Sequence, residues 1–225
     1  MPRKTKTKTK TKTTRAPSAR GITREWEFIP RLVVFDLDFT LWYPEMYELY
    51  GAPFKKDAST GAVTDRSGEE VHFFPAVHSV LSILETDPQF KDTTEVAVAS
   101  KTTEPHWAKT CMRLMDVHVS EDEDADPNKT SLQSVVDYEA IYPRNKRVHF
   151  QQLKEQSGIE YEDMLFFDNE YGNIVDVGRI GVVCAYCPQG LSEGSWIQGM
   201  ETFQEAKRKQ KQNGGAARTQ TDGDY

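Results

Sequence analysis

The stretch Leu32-Val33-Val34-Phe35-Asp36-Leu37-Asp38-Phe39-Thr40-Leu41-Trp42 decides the fold. Four consecutive apolar residues, without the alternation of a half-exposed strand, read as a strand buried on both faces. Two acids, Asp36 and Asp38, follow at the strand's carboxyl end, with Thr40 just beyond. In open parallel sheets ligands gather outside that edge. Fold and chemistry are therefore read from the same place.

Outward from this strand, apolar runs alternate with helical patterns. Val77, Val80, Leu81 and Leu84 recur at helical spacing over 75–86, with Pro75 suited to a first turn. Val96-Ala97-Val98-Ala99 reads as a second strand ending in Ser100-Lys101-Thr102. A helix follows from near Pro105, with Trp107, Cys111 and Leu114 on one face, and Val117-His118-Val119 is read as a third strand. Residues 145–157 are expected to be helical and to stop at Gly158, which tolerates the left-handed conformation of a helix cap. Met164-Leu165-Phe166-Phe167, ending in Asp168-Asn169, and Val182-Val183-Cys184-Ala185-Tyr186 supply two more strands around a short helix at 174–177. Trp196, Met200 and Phe203 mark a last amphipathic helix. Such alternation defines an α/β fold with a central parallel sheet flanked by helices.

Charge is distributed unevenly over the 225 residues. The formal net charge is −7, yet nine of the 28 Lys and Arg lie in 1–24 without an acid, and five lie in 206–225 beside two acids. Residues 25–205 keep 14 basic and 33 acidic side chains, a net of −19. So acidic a body does not suit nucleic acid, which demands clustered Lys and Arg. The Lys-Thr tract of 1–24 has little to bury and is expected to be disordered, as is a second polar tail at 207–225, leaving one domain over 25–206. The basic tract fits nuclear import, polyanion binding or plain solubility. No apolar run reaches the ~18 residues that would cross a membrane, and the first residues lack an apolar core, so no secretory signal is expected. Three cysteines make no disulfide framework; Cys184 and Cys187 lie in or beside an apolar run without a second pair, as in a buried strand rather than a zinc site. A reducing compartment, cytoplasm or nucleus, is expected.

Asp36, Asp38 and Asp168 bring three carboxylates to one sheet edge, where like charges are costly without a cation. Mg2+ meets that need, since it is hard, binds few carboxylates and keeps waters. A phosphoryl group completes such a site. Asp36 is suited to attack phosphorus as a nucleophile, and Asp38, two residues on, to act as acid and then base. Ser100 offers a hydroxyl to phosphoryl oxygens, and Lys146 a fixed positive charge.

This constellation resembles the haloacid-dehalogenase (HAD) superfamily, whose opening motif is D-x-D-x-T after an apolar strand. Asp38 to Trp42, Asp65-Arg66-Ser67-Gly68, Ala99-Ser100-Lys101-Thr102, Ile141-Tyr142-Pro143 with Lys146, and Phe166-Phe167-Asp168 through Asn173 to Gly178 are similar to the magnesium-dependent phosphatase-1 family. The likeness runs from about residue 30 to 206. It implies a Rossmann-like HAD fold with a minimal hairpin cap and a phosphatase with Asp36 as nucleophile and Asp38 as acid/base. It further implies Mg2+ held by Asp36, Asp38 through its backbone carbonyl, and Asp168. Ser100, Lys101 and Lys146 would bind phosphate, with Thr40, Asn169 and Asn173 in support. The implied substrates are aryl phosphates, protein phosphotyrosine and phosphorylated glycation adducts.

Two residues depart from the family pattern. Asn169 stands where a second Asp is usual, and Lys101 where Arg is usual, keeping charge without the bidentate fork. Residues 121–137, opening Glu121-Asp122-Glu123-Asp124-Ala125-Asp126, read as an inserted acidic loop without calcium-site spacing. Only about sixty residues separate the first motif from Ser100, so 43–74 is expected to form a loop and a hairpin turning at Ser67-Gly68, not a cap domain. An open site suits large or protein-borne phosphates. Trp42, Tyr43, Tyr47 and Tyr50 could wall it with aromatic rings or pack the hairpin. The alternative function is a catalytically weak phosphate- or protein-binding module on the same fold; a phosphoacceptor receiver domain is disfavoured because its acid should follow the third strand. A monomer is expected.

Overall fold

The computed structural model describes residue 22, residues 24–117 and residues 131–219. In chain order its strands and helices are β1 (Leu32–Phe35), β2 (Trp42–Tyr43), β3 (Lys55–Lys56), β4 (Val63–Thr64), β5 (Glu70–Phe73), α1 (Val77–Thr86), β6 (Glu95–Ser100), α2 (Pro105–Leu114), β7 (Tyr138–Ile141), α3 (Lys146–Ser157), β8 (Met164–Asp168), α4 (Tyr171–Gly178), β9 (Val183–Tyr186) and α5 (Glu193–Thr219).

β1, β6, β7, β8 and β9 form a parallel sheet in the order β7-β6-β1-β8-β9. The first strand is central, and chain order runs outward from it both ways, so the switch point lies at the carboxyl end of β1. The pleat sends alternate side chains to opposite faces. Val33 and Phe35 enter one core with α1, α2 and α5 residues such as Leu81, Met112 and Trp196. Leu32 and Val34 enter the other with Phe150 and Leu153 of α3 and Val177 of α4. This three-layer burial explains the unbroken apolar runs. Gly158 caps α3 as expected, with φ +68° and its N–H 2.9 Å from the Lys154 carbonyl.

Several expectations are corrected. The third strand of the sheet is β7 at 138–141, not Val117-His118-Val119; Val117 is buried outside any strand, and residues 118–119 lie outside the described residues. Residues 43–74 form more than one hairpin, because β3 and β4 pair antiparallel as well as β4 and β5, giving a small sheet of order β2-β5-β4-β3. Only residues 131–137 of the acidic insertion are described. Ser131 caps a 3-10 turn at Leu132–Val135 whose apolar residues are buried, so this part packs with the body. Ile22 is buried in the core, and α5 runs past residue 206, held by Lys207 on Asp163 at 2.5 Å and Arg208 on Glu27 at 3.0 Å. The rest of the 1–24 tract and residues 220–225 lie outside the described residues. No helix among the described residues is long and apolar enough to cross a membrane.

Candidate active site

The chain leaves β1 in a tight coil. The Leu37 carbonyl accepts from the backbone N–H groups of Thr40 (3.2 Å), Leu41 (2.8 Å) and Trp42 (3.3 Å). Phe39 takes the left-handed conformation at φ +57°, strained for a bulky side chain, and its N–H meets the Trp42 carbonyl at 2.8 Å. The coil stations Asp36, Asp38 and Thr40 at the sheet edge.

Lys146, at the start of α3, is 1% exposed and enters from behind. Its ammonium bonds to Asp36 and to the Ala99 carbonyl, and lies 3.2 Å from Asp168 Oδ2. Burial disfavours that ammonium, but Asp36 and Asp168 together outweigh burial and hold it above the usual lysine range. Burial raises both carboxyls; each is opposed by Lys146, and at Asp36 the neighbouring Asp168 adds to the rise. Asp168 also accepts from the Glu170 N–H at 2.7 Å and from Asn173 Nδ2 at 3.0 and 3.2 Å. The Thr40 hydroxyl lies 3.4 Å from Asp36 Oδ2 and 3.3 Å from Asn169 Oδ1, and accepts from the Asn169 N–H at 3.1 Å. Asp38 is half-buried; burial raises its carboxyl, against the Trp42 indole N–H 2.7 Å from Oδ1.

The cleft above is about 200 Å³, lined by Asp36, Asp38, Ser100 and Lys101 with Glu45 and Tyr47 from the insertion after β1. The Ser100 hydroxyl accepts from the Thr102 N–H at 3.2 Å. Lys101 is drawn to Glu170 at 3.4 Å and Asn173 at 3.3 Å. Every site residue expected from sequence thus stands at one edge or directly beneath it. The four-ring wall does not form: Trp42 is buried, Tyr43 packs at a tilt against Phe74 and His72, and Tyr47 alone of the four lines the cleft. His149 stays behind the site, its Nε2–H donating to the Tyr142 carbonyl at 2.9 Å and its ring stacked on Tyr142. Burial pushes its pKa down to about 4. Glu45 and Glu170 were not expected in the site. Glu170, next to Asp168-Asn169, could have been found by its position, whereas Glu45 depends on the path of the insertion.

The donor set fits a hard divalent cation: buried carboxylates at Asp36 and Asp168, with backbone oxygen available from Asp38. No group of three or more His, Cys, Asp or Glu side chains among the described residues could hold a metal ion. Two carboxylates and a carbonyl suffice for Mg2+, which keeps several waters.

Strand order, the D-x-D-x-T turn and the short antiparallel insertion define the class, a HAD fold with a minimal cap. The Acid Phosphatase family matches residues 28–206, and the chain belongs to that family within the HAD superfamily. It is 35% identical over 179 residues to magnesium-dependent phosphatase 1 of Homo sapiens, covering 80% of this chain and 90% of that protein. It is 34% identical over 157 residues to a HAD-like hydrolase superfamily protein of Schizosaccharomyces pombe, covering 68% and 83%. A crystal structure of the N-terminal part of a Bacteroides fragilis protein, containing a phosphatase domain complexed with Mg, superposes with a TM-score of 0.47 at 16% identity. That match covers 79% of this chain and 40% of the other, so this chain spans less than half its length.

Proposed function

We propose that this phosphatase hydrolyses phosphate monoesters with Mg2+ through an aspartyl-phosphate on Asp36. The observation that carries the reading is the buried Asp36–Lys146–Asp168 cluster at the switch-point edge. A carboxylate oxygen of Asp36 attacks phosphorus while the ester P–O bond breaks, and Asp38 gives a proton to the departing oxygen. Asp38 then takes a proton from water, whose oxygen attacks phosphorus. The bond to Asp36 breaks, and inorganic phosphate leaves. The Ser100 hydroxyl, Lys101 and Lys146 hold phosphoryl oxygens and offset their charge. Asp36, Asp168 and the Asp38 carbonyl would hold Mg2+, which when bound neutralises phosphoryl charge; Thr40, Asn169 and Asn173 orient the carboxylates.

A cleft without a cap domain suits aryl phosphates presented on a protein, with phosphotyrosine or phosphorylated glycation adducts as substrates. Magnesium-dependent turnover of p-nitrophenyl phosphate, abolished by EDTA and by Asp36→Asn, is the expected result. A folded Asp36→Asn protein with native turnover would defeat the mechanism. A folded native protein inactive on aryl phosphates would favour the binding-module reading, for which Asn169 is the motivating residue.

A further inference from the structure

The loop that presents Asp38 carries its own tether. Trp42, four residues on and at the start of β2, is fully buried. Its indole Nε1–H donates to Asp38 Oδ1 at 2.7 Å, and the Phe39 N–H closes the loop on the Trp42 carbonyl at 2.8 Å. Fit to the core alone does not require this contact. Trp196 is equally buried, yet its indole nitrogen has no hydrogen-bond partner. Trp42 instead spends its N–H on a half-buried carboxyl that lines the cleft.

An indole N–H can only donate. Oδ1 of Asp38 is therefore committed as an acceptor, and Oδ2 is left to carry the proton that moves. A short acid side chain on a loop has several rotamers, and proton transfer needs one of them, within hydrogen-bond reach of the departing oxygen.

We propose that Trp42 is a positioning residue for this reaction, fixing the Asp38 carboxyl so that Oδ2 delivers its proton to the leaving group. The inference rests on the phosphatase reading above.

The test is a series of aryl phosphates with leaving groups from 2,4-dinitrophenol through 4-nitrophenol to phenol and 4-methoxyphenol. It compares the native protein with Trp42→Phe, and kcat/KM is read because it reports the step that expels the leaving group. Dinitrophenolate departs without a proton, whereas phenolate needs one. Trp42→Phe should lose about tenfold or more on phenyl phosphate and stay within about twofold on the dinitrophenyl ester. The ratio between substrates is measured on one preparation, so a partly unfolded variant lowers both rates equally. Equal loss across the series means that Trp42 only packs the core, and overturns the inference. Should Trp42→Phe give no folded protein, 3-benzothienylalanine placed at position 42 keeps the bicyclic ring without its N–H, and a flat response in that variant overturns the inference instead. The phosphatase reading fails separately, if the native protein turns over none of the series or Asp36→Asn turns over all of it.

Discussion

Lys146 keeps its charge in the interior because two carboxylates flank it, and they stay buried because it does. The unit holds two acids for one base, an imbalance that a bound cation relieves. Replacing Lys146 with Met keeps the length of the side chain but leaves Asp36 and Asp168 facing each other away from water. Removing one partner from a buried ionic cluster typically costs about 3–5 kcal/mol. Lys146→Met is expected to melt well below the native protein in EDTA and to recover part of the loss when Mg2+ is added, since a ligand that binds only the folded state stabilises it. Asp168→Asn should lose that response to Mg2+. Melting curves with and without the metal check both, and an unchanged Lys146→Met midpoint would mean the cluster stores no such dependence. At this scale the motif positions Asp36, Ser100 and Asp168 were legible because residue type and strand end together place them, and Lys146 because it opens the helix before β8. Trp42 was not, because its contact arises from a loop closing on itself, a path that no periodicity records.

Among the elements, the small antiparallel sheet depends on one side chain. Asp65 lies in the turn between β4 and β5 and is buried. Its Oδ1 accepts from the Ser67 N–H (2.8 Å), the Ser67 hydroxyl (2.7 Å) and the Glu69 N–H (3.0 Å), and its Oδ2 from the Tyr50 N–H (2.7 Å). Burial works against the charge, but the bonds from Ser67, Tyr50 and Glu69 outweigh it and hold the carboxyl at about 2. The folded value lies below the ordinary 3.8, so the contribution is full above the ordinary value and is lost as pH falls towards about 2. Asp65→Ala should destabilise the protein at neutral pH by about 1–3 kcal/mol, since it leaves several N–H groups without their charged acceptor. Urea unfolding of both proteins from pH 7 down to pH 3 should show the gap narrowing below the ordinary carboxyl pKa; a constant gap would exclude the charged carboxylate as its source. The Asp65-Arg66-Ser67-Gly68 turn was readable because each residue has turn chemistry. The strands β3 and β4 were not, being two residues each and too short for alternation to register. The edge strand β7 was missed for another reason. Tyr138 and Glu139 are half-exposed, and Glu139 pairs with Lys109 at 3.0 Å, so the strand lacks the apolar run of its buried neighbours.

For the whole molecule, the charge excess of the acidic body has a structural counterpart at the end of α5. A net of −19 over residues 25–205 repels itself, and scarce cations that reach back to the body offset part of that repulsion. Lys207 on Asp163 is the most protected of these contacts, with side chains 17% and 27% exposed, and its ammonium lies 5.8 Å from the Phe203 ring centre. Arg208 bonds Glu27, and the Lys211 ammonium lies 5.9 Å from the Phe28 ring centre. Gln204, one turn earlier, bonds both the N–H and the carbonyl of Phe28, at 2.8 and 2.7 Å. The end of α5 therefore clasps the segment leading into β1, with Lys207, Arg208 and Lys211 reaching back to the body. Sequence composition marked them as a polar tail because their partners, Glu27 and Asp163, are distant in the chain. A chain ending at residue 206 should lose about 1–2 kcal/mol at low salt, a modest sum because the pairs are only partly shielded from water. The loss should shrink at about 0.5 M NaCl, where screening weakens the pairs and the repulsion alike. A chain ending at residue 213 keeps all three cations and should match the full-length protein. Urea midpoints of the three chains at both salt concentrations decide the point. Equal midpoints for the chains ending at 206 and 213 would return these residues to the tail.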